Sequence, residues 1–277
     1  MSLAAGTVIR SRANPVVRRL RALRDRGPER DVVLLEGTKL LEEAIGAGLV
    51  VLEAAATPAA AARPRVAALL RPLREGGVPV RLVDEEVLAS LSEAETSQGV
   101  LALARRPVFD EDAPFRGVPL VVVGVALQNP GNLGGLLRTA EGAGATGAFL
   151  TEGSADPMSW KALRGSMGSA FRLPHVAGIS LEAAEERLRT RGLAIVATTS
   201  RGGEPYDAAR LDGPLALLFG NEGSGLPDEL AARADRRIRI PLAGPVESLN
   251  VGVAAGIVLF EAARQRRAKR GKEVARA

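Results

Sequence analysis

Three apolar runs in the second half of the chain each stop in a loop rich in glycine and asparagine, and each loop opens a helix. PLVVVGVA, residues 119–126, breaks into QNPGNLGGLLRTAEGAG, residues 128–144, and LALLFG, residues 215–220, breaks into NEGSGLPDEL, residues 221–230. A shorter extended piece ends at Ile240–Pro241, turns through Gly244 and Pro245, and at Glu247-Ser248-Leu249-Asn250 opens a long apolar helix running to residue 266. Short unbroken apolar runs alternating with helices read as strands buried on both faces of a parallel sheet. In such a sheet the ligand crevice lies beyond the carboxyl ends of the strands, where all three loops fall. Ser248 or Asn250 is expected to cap the last helix by accepting from free N–H groups of its first turn. So much polar chemistry at one helix start points to a bound ligand.

The rest of the chain fits the same scheme. In the second half, strands are expected at 119–126, 147–151, 193–198, 215–220 and 236–240. Helices are expected at 133–143, around 155–168, and at 180–191, 226–233 and 248–266. This is an α/β domain with a mostly parallel sheet covered on both faces. The first half reads as a basic helix at 14–26, the strand VVLLEG at 32–37 and the helix TKLLEEAIGAG at 38–48. LVVLEAAAT, VPVRLVD and GVLALARR follow as strands, with helices RPRVAALLRPLREGG and DEEVLASLSEAE between them. That is a second, smaller α/β unit, large enough for its own core. The segment PVFDEDAPFRG is rich in Pro and Asp, so the expected boundaries are 1–106, a linker at 107–117, 118–267, and a basic tail at 268–277.

The phrases NPGNLG…LRTA, FGNEGSGL and IPLAGPVESLNV, in this order and spacing, resemble the SpoU/TrmH family of RNA 2′-O-ribose methyltransferases, within the knotted SPOUT methyltransferases. The resemblance covers residues 118–267. It implies a mostly parallel α/β sheet with a deep trefoil knot in its last third, an exception to the usual avoidance of threaded chains. LLEGTKLLEEAIGAG resembles, more loosely, the small α/β substrate-binding domain that precedes the catalytic domain in many of these enzymes. The implied activity is transfer of the methyl group of S-adenosylmethionine to a ribose 2′-hydroxyl of RNA, ribosomal in preference to transfer RNA. The implied assembly is a homodimer through the knotted domain.

Carried onto this sequence, the resemblance makes Asn132, Arg138, Glu222, Ser248 and Asn250 catalytic. It places Thr198, Gly220, Asn221, Gly225, Ile240, Leu242, Ser248 and Leu249 against the cofactor. By themselves, Asn132 and Arg138 read as a helix cap and a solvated arginine, and Ile240 and Leu249 as core. A free guanidinium, with a pKa above ~12, is a poor base, so Arg138 is expected to position RNA rather than take a proton. Glu222 suits the capping of a tight loop as well as direct chemistry. Arg164 and Ser166, in RGSMGSAFRLPHV, are expected on the RNA side.

Other features carry less. GAGATG, residues 142–147, matches a dinucleotide fingerprint formally, but it ends a helix and enters a strand, the reverse of that motif. His175 stands alone at a strand end, and no metal site is expected. The single Trp160 does not make a stacking platform.

Composition sets the class. The chain is 46% hydrophobic and 25% charged, which is globular, and it contains no cysteine, which excludes disulfides and thiolate catalysis. No apolar run approaches the ~18–20 residues of a membrane span, so a cytoplasmic protein is expected. The net charge is +5, carried mostly by arginine, which suits phosphate; a coding bias toward Arg, Ala and Gly would give the same total. Placement says more. Arg10, Arg12, Arg18, Arg19 and Arg21 crowd the first helix and are expected to contact RNA, whereas the basic cluster from Arg264 to Lys272 reads as a solvated tail. The rivals are an RNA-binding protein that has lost turnover, against which the intact motif residues argue, and, more distantly, a nicotinamide enzyme.

Overall fold

The computed structural model describes residues 7–26, 31–92, 97–221 and 223–274. The chain divides into two compact units, Met1–Val108 with Met158–Trp160, and Phe109–Pro157 with Lys161–Ala277.

The first unit opens with α1 (Pro15–Arg26). Its start is written in Asn14-Pro15: the Asn14 carboxamide accepts from Val16 N–H at 3.0 Å, and proline suits the first helical position, where no N–H is required. There follow β1 (Val32–Glu36), α2 (Thr38–Gly46), β2 (Val51–Ala56), α3 (Pro58–Ala62), α4 (Pro64–Glu75), β3 (Val80–Leu82), α5 (Glu85–Ala89) and β4 (Val100–Arg105). The sheet order is β1-β4-β2-β3, with β4 antiparallel to both neighbours and β2 parallel to β3. Val17, Leu20 and Leu23, spaced along one face of α1, join Val87, Leu88, Leu101 and Leu103 in the core. The expected helix RPRVAALLRPLREGG is α4, and α3, just before it, was not among the expected elements; both start at proline, with Thr57 Oγ1 accepting from Ala60 N–H to cap α3 and Arg63 extended before Pro64.

The second unit holds β5 (Leu120–Gly124), α6 (Pro130–Ala143), β6 (Gly147–Thr151), all but the first residue of α7 (Trp160–Ser166), α8 (Ser169–Arg172), β7 (His175–Ile179), α9 (Leu181–Thr190), β8 (Ala194–Thr199), β9 (Glu204–Pro205), β10 (Leu215–Phe219), α10 (Asp228–Arg233), β11 (Arg236–Arg239) and α11 (Val251–Val274). The sheet runs β7-β6-β5-β10-β8-β11-β9, and every pairing in it is parallel. The central strands are apolar without alternation because helices cover both faces; β5, β6 and β10 are buried throughout. The edge strands β7 and β9 were not among the expected elements: one carries exposed Ala177 and Gly178, the other is two residues long. Neither has the apolar run that marks a buried strand.

Two boundaries differ from expectation. Pro114 is buried, and Phe115 sits edge-on to Phe149 with ring centroids 5.9 Å apart, so the expected linker packs on the second unit from Phe109 onward. No break separates α11 from a basic tail, since the helix continues to Val274. Its distal half is fastened to the sheet by Arg266, whose guanidinium donates to the carbonyls of Val118 at 2.8 Å and Pro119 at 2.9 Å, and to that of Gly213. Burial pulls the pKa of this guanidinium down, and Asp212 opposes the shift. Packed on α6, α11 therefore runs from the carboxyl ends of the strands back to their amino ends.

Candidate active site

From β5 the chain builds outward to β6 and β7 on one side, while β10, β8 and β11 lie on the other. The reversal between β5 and β10 is a topological switch point, where the loops diverge and leave a crevice. The loops after β5, β10 and β11 are the three singled out in the sequence, and the end of β8 lies between the last two.

At the start of α6 the cap is Asn129, not Asn132. The Asn129 carboxamide oxygen accepts from Gly131 N–H at 2.9 Å and Asn132 N–H at 3.2 Å, and Pro130 takes the first helical position. This leaves the Asn132 side chain available for another partner. That partner is Asn250, whose amide Nδ2 donates to Asn132 Oδ1 at 3.0 Å. The Asn250 Oδ1 accepts from Gly252 N–H at 2.9 Å and Val253 N–H at 3.4 Å, so Asn250 is the cap of α11 and its amide orientation follows. Ser248 does not cap this helix, because α11 begins three residues later; its hydroxyl stands exposed in the preceding loop. Arg138 lies on the exposed side of α6, about 9 Å further along the axis than Asn132, and makes no ion pair with the described residues.

The β10–α10 loop closes tightly on itself. A Cβ on Gly220 would lie 2.2 Å from the Gly225 carbonyl carbon. Gly225 adopts φ +69°, and its N–H donates to the Asn221 carbonyl at 2.8 Å. Asn221 commits both ends of its own side chain to backbone, Nδ2 to Ala126 O at 2.9 Å and Oδ1 to Gly223 N–H at 2.8 Å. Glu222 lies outside the described residues. Thr198 donates its hydroxyl to Leu218 O at 2.7 Å, within the sheet. Ile240, Leu242 and Leu249 are half-buried, and Arg201 and Glu247, both well exposed, pair at 3.5 Å between the loops after β8 and β11. Glycine backbone beside half-buried apolar side chains suits an adenosine moiety, which needs an apolar face for the base and backbone groups for its edge. The residues present fit S-adenosylmethionine.

On the expected RNA side, Arg164 is exposed but Ser166 is not. Its side chain is buried, at 0% exposure, and its hydroxyl donates to Leu163 O at 3.1 Å. The burial follows from close packing of α7 on α6, where a Cβ at Gly134 would meet Ala162 O at 2.3 Å and Ser166 N at 2.8 Å. Ser166 is thus a packing residue. In the first unit Arg10, Arg12, Arg18 and Arg19 are exposed, whereas Arg21 is half-buried and reaches Ser90 Oγ at 3.3 Å, with Arg24 on Ser90 O at 2.6 Å. Sequence reasoning overlooked Asn129, although Asn before Pro at a helix start is a capping signal, and it overlooked Thr151 and Ser154, which brace the β5–α6 turn and carry no motif.

Comparison with known proteins places the chain among methyltransferases. Residues 119–260 match the SpoU rRNA Methylase family, and residues 14–102 match an MRM3-like substrate binding domain. An uncharacterized tRNA/rRNA methyltransferase of Synechocystis is 36% identical, over 93% of each chain. The 23S rRNA (guanosine(2553)-2′-O)-methyltransferase RlmP of Bacillus subtilis is 34% identical, over 82% of this chain and 86% of that one. Among solved structures, an rRNA methyltransferase from Sinorhizobium meliloti with AdoMet bound is 33% identical, with a TM-score of 0.82 over 93% of this chain and 97% of that chain. The SpoU methyltransferase AviRb from Streptomyces viridochromogenes, also with AdoMet, gives 28% and 0.82 over 92% and 98%.

Proposed function

The chain belongs to the SpoU rRNA Methylase family, and from that membership we propose how its residues carry out S-adenosylmethionine-dependent methylation of a ribose 2′-hydroxyl in ribosomal RNA. The observation that carries the assignment of residues is the Asn250–Asn132 bond, which ties two of the family motifs together at the switch point.

Bound S-adenosylmethionine supplies a methyl group already activated on a sulfonium. The chain's task is to align the hydroxyl with that group and to assist departure of its proton. Gly220, Gly225, Ile240, Leu242 and Leu249 line the cofactor side, with Thr198 bracing it from β8. Arg138 brings an exposed positive charge to α6, where it holds a phosphate or orients the ribose. Ser248 presents a hydroxyl on the same loop that delivers Asn250, and Glu222 belongs to the cofactor loop. Arg10, Arg12, Arg18, Arg19 and Arg164 capture the RNA backbone.

We further propose that the enzyme is a homodimer. Val253 and Phe260 lie seven residues apart on α11, 52% and 50% exposed, and Phe260 stands over Gly142 of α6. This apolar stripe suits a second copy. We also propose the trefoil knot, in keeping with a chain that leaves β11, returns across the carboxyl ends of β8 and β10, and packs α11 on α6. A cytoplasmic location follows from a ribosomal RNA substrate, and no described helix is long and apolar enough to cross a membrane.

The test is methyl transfer from radiolabelled S-adenosylmethionine into protein-free 23S ribosomal RNA and transfer RNA from cells lacking the protein. Label at a ribose 2′-oxygen of ribosomal RNA is expected; label in transfer RNA alone overturns the substrate. Arg138→Ala should bind the cofactor normally and lose ~10²–10³ in turnover, the usual scale for a transition-state electrostatic contact. Near-normal turnover removes Arg138 from the mechanism.

A further inference from the structure

The turn between β5 and α6 contains a backbone outlier. Ala126 adopts φ +48°, in the left-handed region that a Cβ disfavours. Such a conformation persists only where its surroundings over-determine it, and here they do. Ala126 N–H donates to the buried Thr151 hydroxyl at 2.9 Å, and Leu127 N–H donates to Ser154 Oγ at 3.1 Å. The Leu127 carbonyl accepts from Ala155 N–H at 2.8 Å, and Val125 N–H reaches the Phe219 carbonyl at 2.9 Å. The remaining group, the Ala126 carbonyl, accepts from Asn221 Nδ2, a side chain on the loop after β10 and 95 residues away. Asn221 cannot turn its amide over without losing both this bond and the one from Gly223 N–H.

Both polar ends of Asn221 are therefore engaged by the two loops, which fixes the plane and the direction of its amide. Three residues beyond Ala126, Asn129 caps α6, the helix that carries Asn132 and Arg138. We propose that Asn221 is a positioning residue that latches the cofactor loop to the β5–α6 turn, so that a cofactor seated on residues 220–226 sets the start of α6 and with it the RNA-side groups. The proposal rests on the methyltransferase reading for its consequence but not for its geometry.

The experiment uses the full chain and hydrogen–deuterium exchange with and without S-adenosylmethionine, alongside cofactor titration and methyl transfer to 23S ribosomal RNA. In the unaltered protein the cofactor should slow exchange both at 220–226 and at 125–129. Asn221→Ala should keep the slowing at 220–226, lose it at 125–129, and bind the cofactor with little change in Kd. Its turnover should fall ~10–10²-fold, the scale of a small misplacement of reacting groups. Asn221→Asp keeps the acceptor for Gly223 but sets an oxygen against the Ala126 carbonyl, and should behave alike at 125–129 while remaining folded. Glycine adopts a positive φ without penalty, so adding Ala126→Gly to Asn221→Ala should restore turnover toward the original. A cofactor Kd that rises in step with lost slowing at 220–226 would make Asn221 a ligand and overturn the latch, as would intact slowing at 125–129 in Asn221→Ala. An unaltered protein that protects both segments but labels no RNA refutes the methyltransferase reading and leaves the latch standing.

Discussion

Asn250 donates its side-chain amide to Asn132 at 3.0 Å, joining the first turns of two helices whose asparagines are 118 residues apart. With its other end the same carboxamide caps α11. One side chain thus ends the last loop of the sheet and fixes a group on the first. The two tasks use different atoms, which makes them separable by substitution.

Asn250→Ala removes both, and loss of the cap alone costs about 1 kcal/mol. Asn250→Asp keeps the capping oxygen and replaces the donor with an oxygen facing Asn132. The aspartate variant is expected to melt close to the unaltered protein and yet lose ~10-fold or more in methyl transfer through misalignment. Calorimetry and initial rates check this. Activity that merely tracks melting temperature across both variants counts against a direct role for the pair.

Gly220 has no room for a side chain, because the Gly225 backbone lies within 2.2 Å of its would-be Cβ. Gly223, two residues after Asn221, would set a Cβ only 3.4 Å from Asn221 Oδ1, an ordinary contact. Gly220→Ala should open the loop at a cost of ~1–3 kcal/mol, typical of overpacking, and weaken S-adenosylmethionine binding severely. Gly223→Ala should change it little. Isothermal titration of both variants distinguishes a backbone-built pocket from one built by side chains.

The first helix divides its arginines by role. Arg18 and Arg19 are exposed, whereas Arg21 and Arg24 bind Ser90. Each phosphate contact removed lowers the salt dependence of RNA affinity by about one slope unit. Arg18→Gln with Arg19→Gln should flatten that dependence and raise the Michaelis constant for RNA. Arg21→Gln should leave the slope alone and lower the melting temperature. Affinity measured across a salt series decides; superimposable slopes for the Arg18/Arg19 variant would end the RNA-capture role of this face.

Glu141 on α6 accepts a two-pronged pair from Arg172 on α8, at 2.7 and 3.0 Å. Hydrogen bonding to Arg172 holds its carboxyl below the ordinary value of 4.5, against the opposing pull of burial. A depressed carboxylate stabilises the fold above its unfolded pKa, and that contribution fades as pH falls through the folded one. Glu141→Gln should therefore melt below the unaltered protein at pH 7, with the gap closing as the pH drops below 4.5. Melting curves across pH 3–7 test it, and a gap independent of pH would mean that packing, not charge, joins these helices.

Much of the architecture was legible because its causes are local. Buried strands showed as apolar runs, α1 and α6 are both announced by Asn-Pro, and the placing of loops at strand ends follows from the alternation of elements. Of what was misread, only the cap of α6 had a local signature, Asn129-Pro130, and it was passed over. Ser166 looked like an RNA-facing hydroxyl, and only the close approach of α7 to α6 buries it. Ser248 and Asn250 were equal candidates to cap α11, and Asn132 stood as a candidate cap three residues after Asn129.

The sequence by itself determined the class of the protein: a mostly parallel α/β domain with glycine- and asparagine-rich loops at its strand ends, preceded by a smaller α/β unit. Short-range sterics and hydrophobic periodicity suffice for that. Only the tertiary structure decided which side chain meets which. Capping is a contact over two or three residues, so composition can suggest it, but the Asn132–Asn250 and Asn221–Ala126 bonds require distant segments to arrive at one place. Sheet order brings β5 beside β10, and α11, fastened by Arg266 at its far end, delivers Asn250 to the start of α6. Those placements are fixed by packing across the whole domain, which no single stretch of residues encodes.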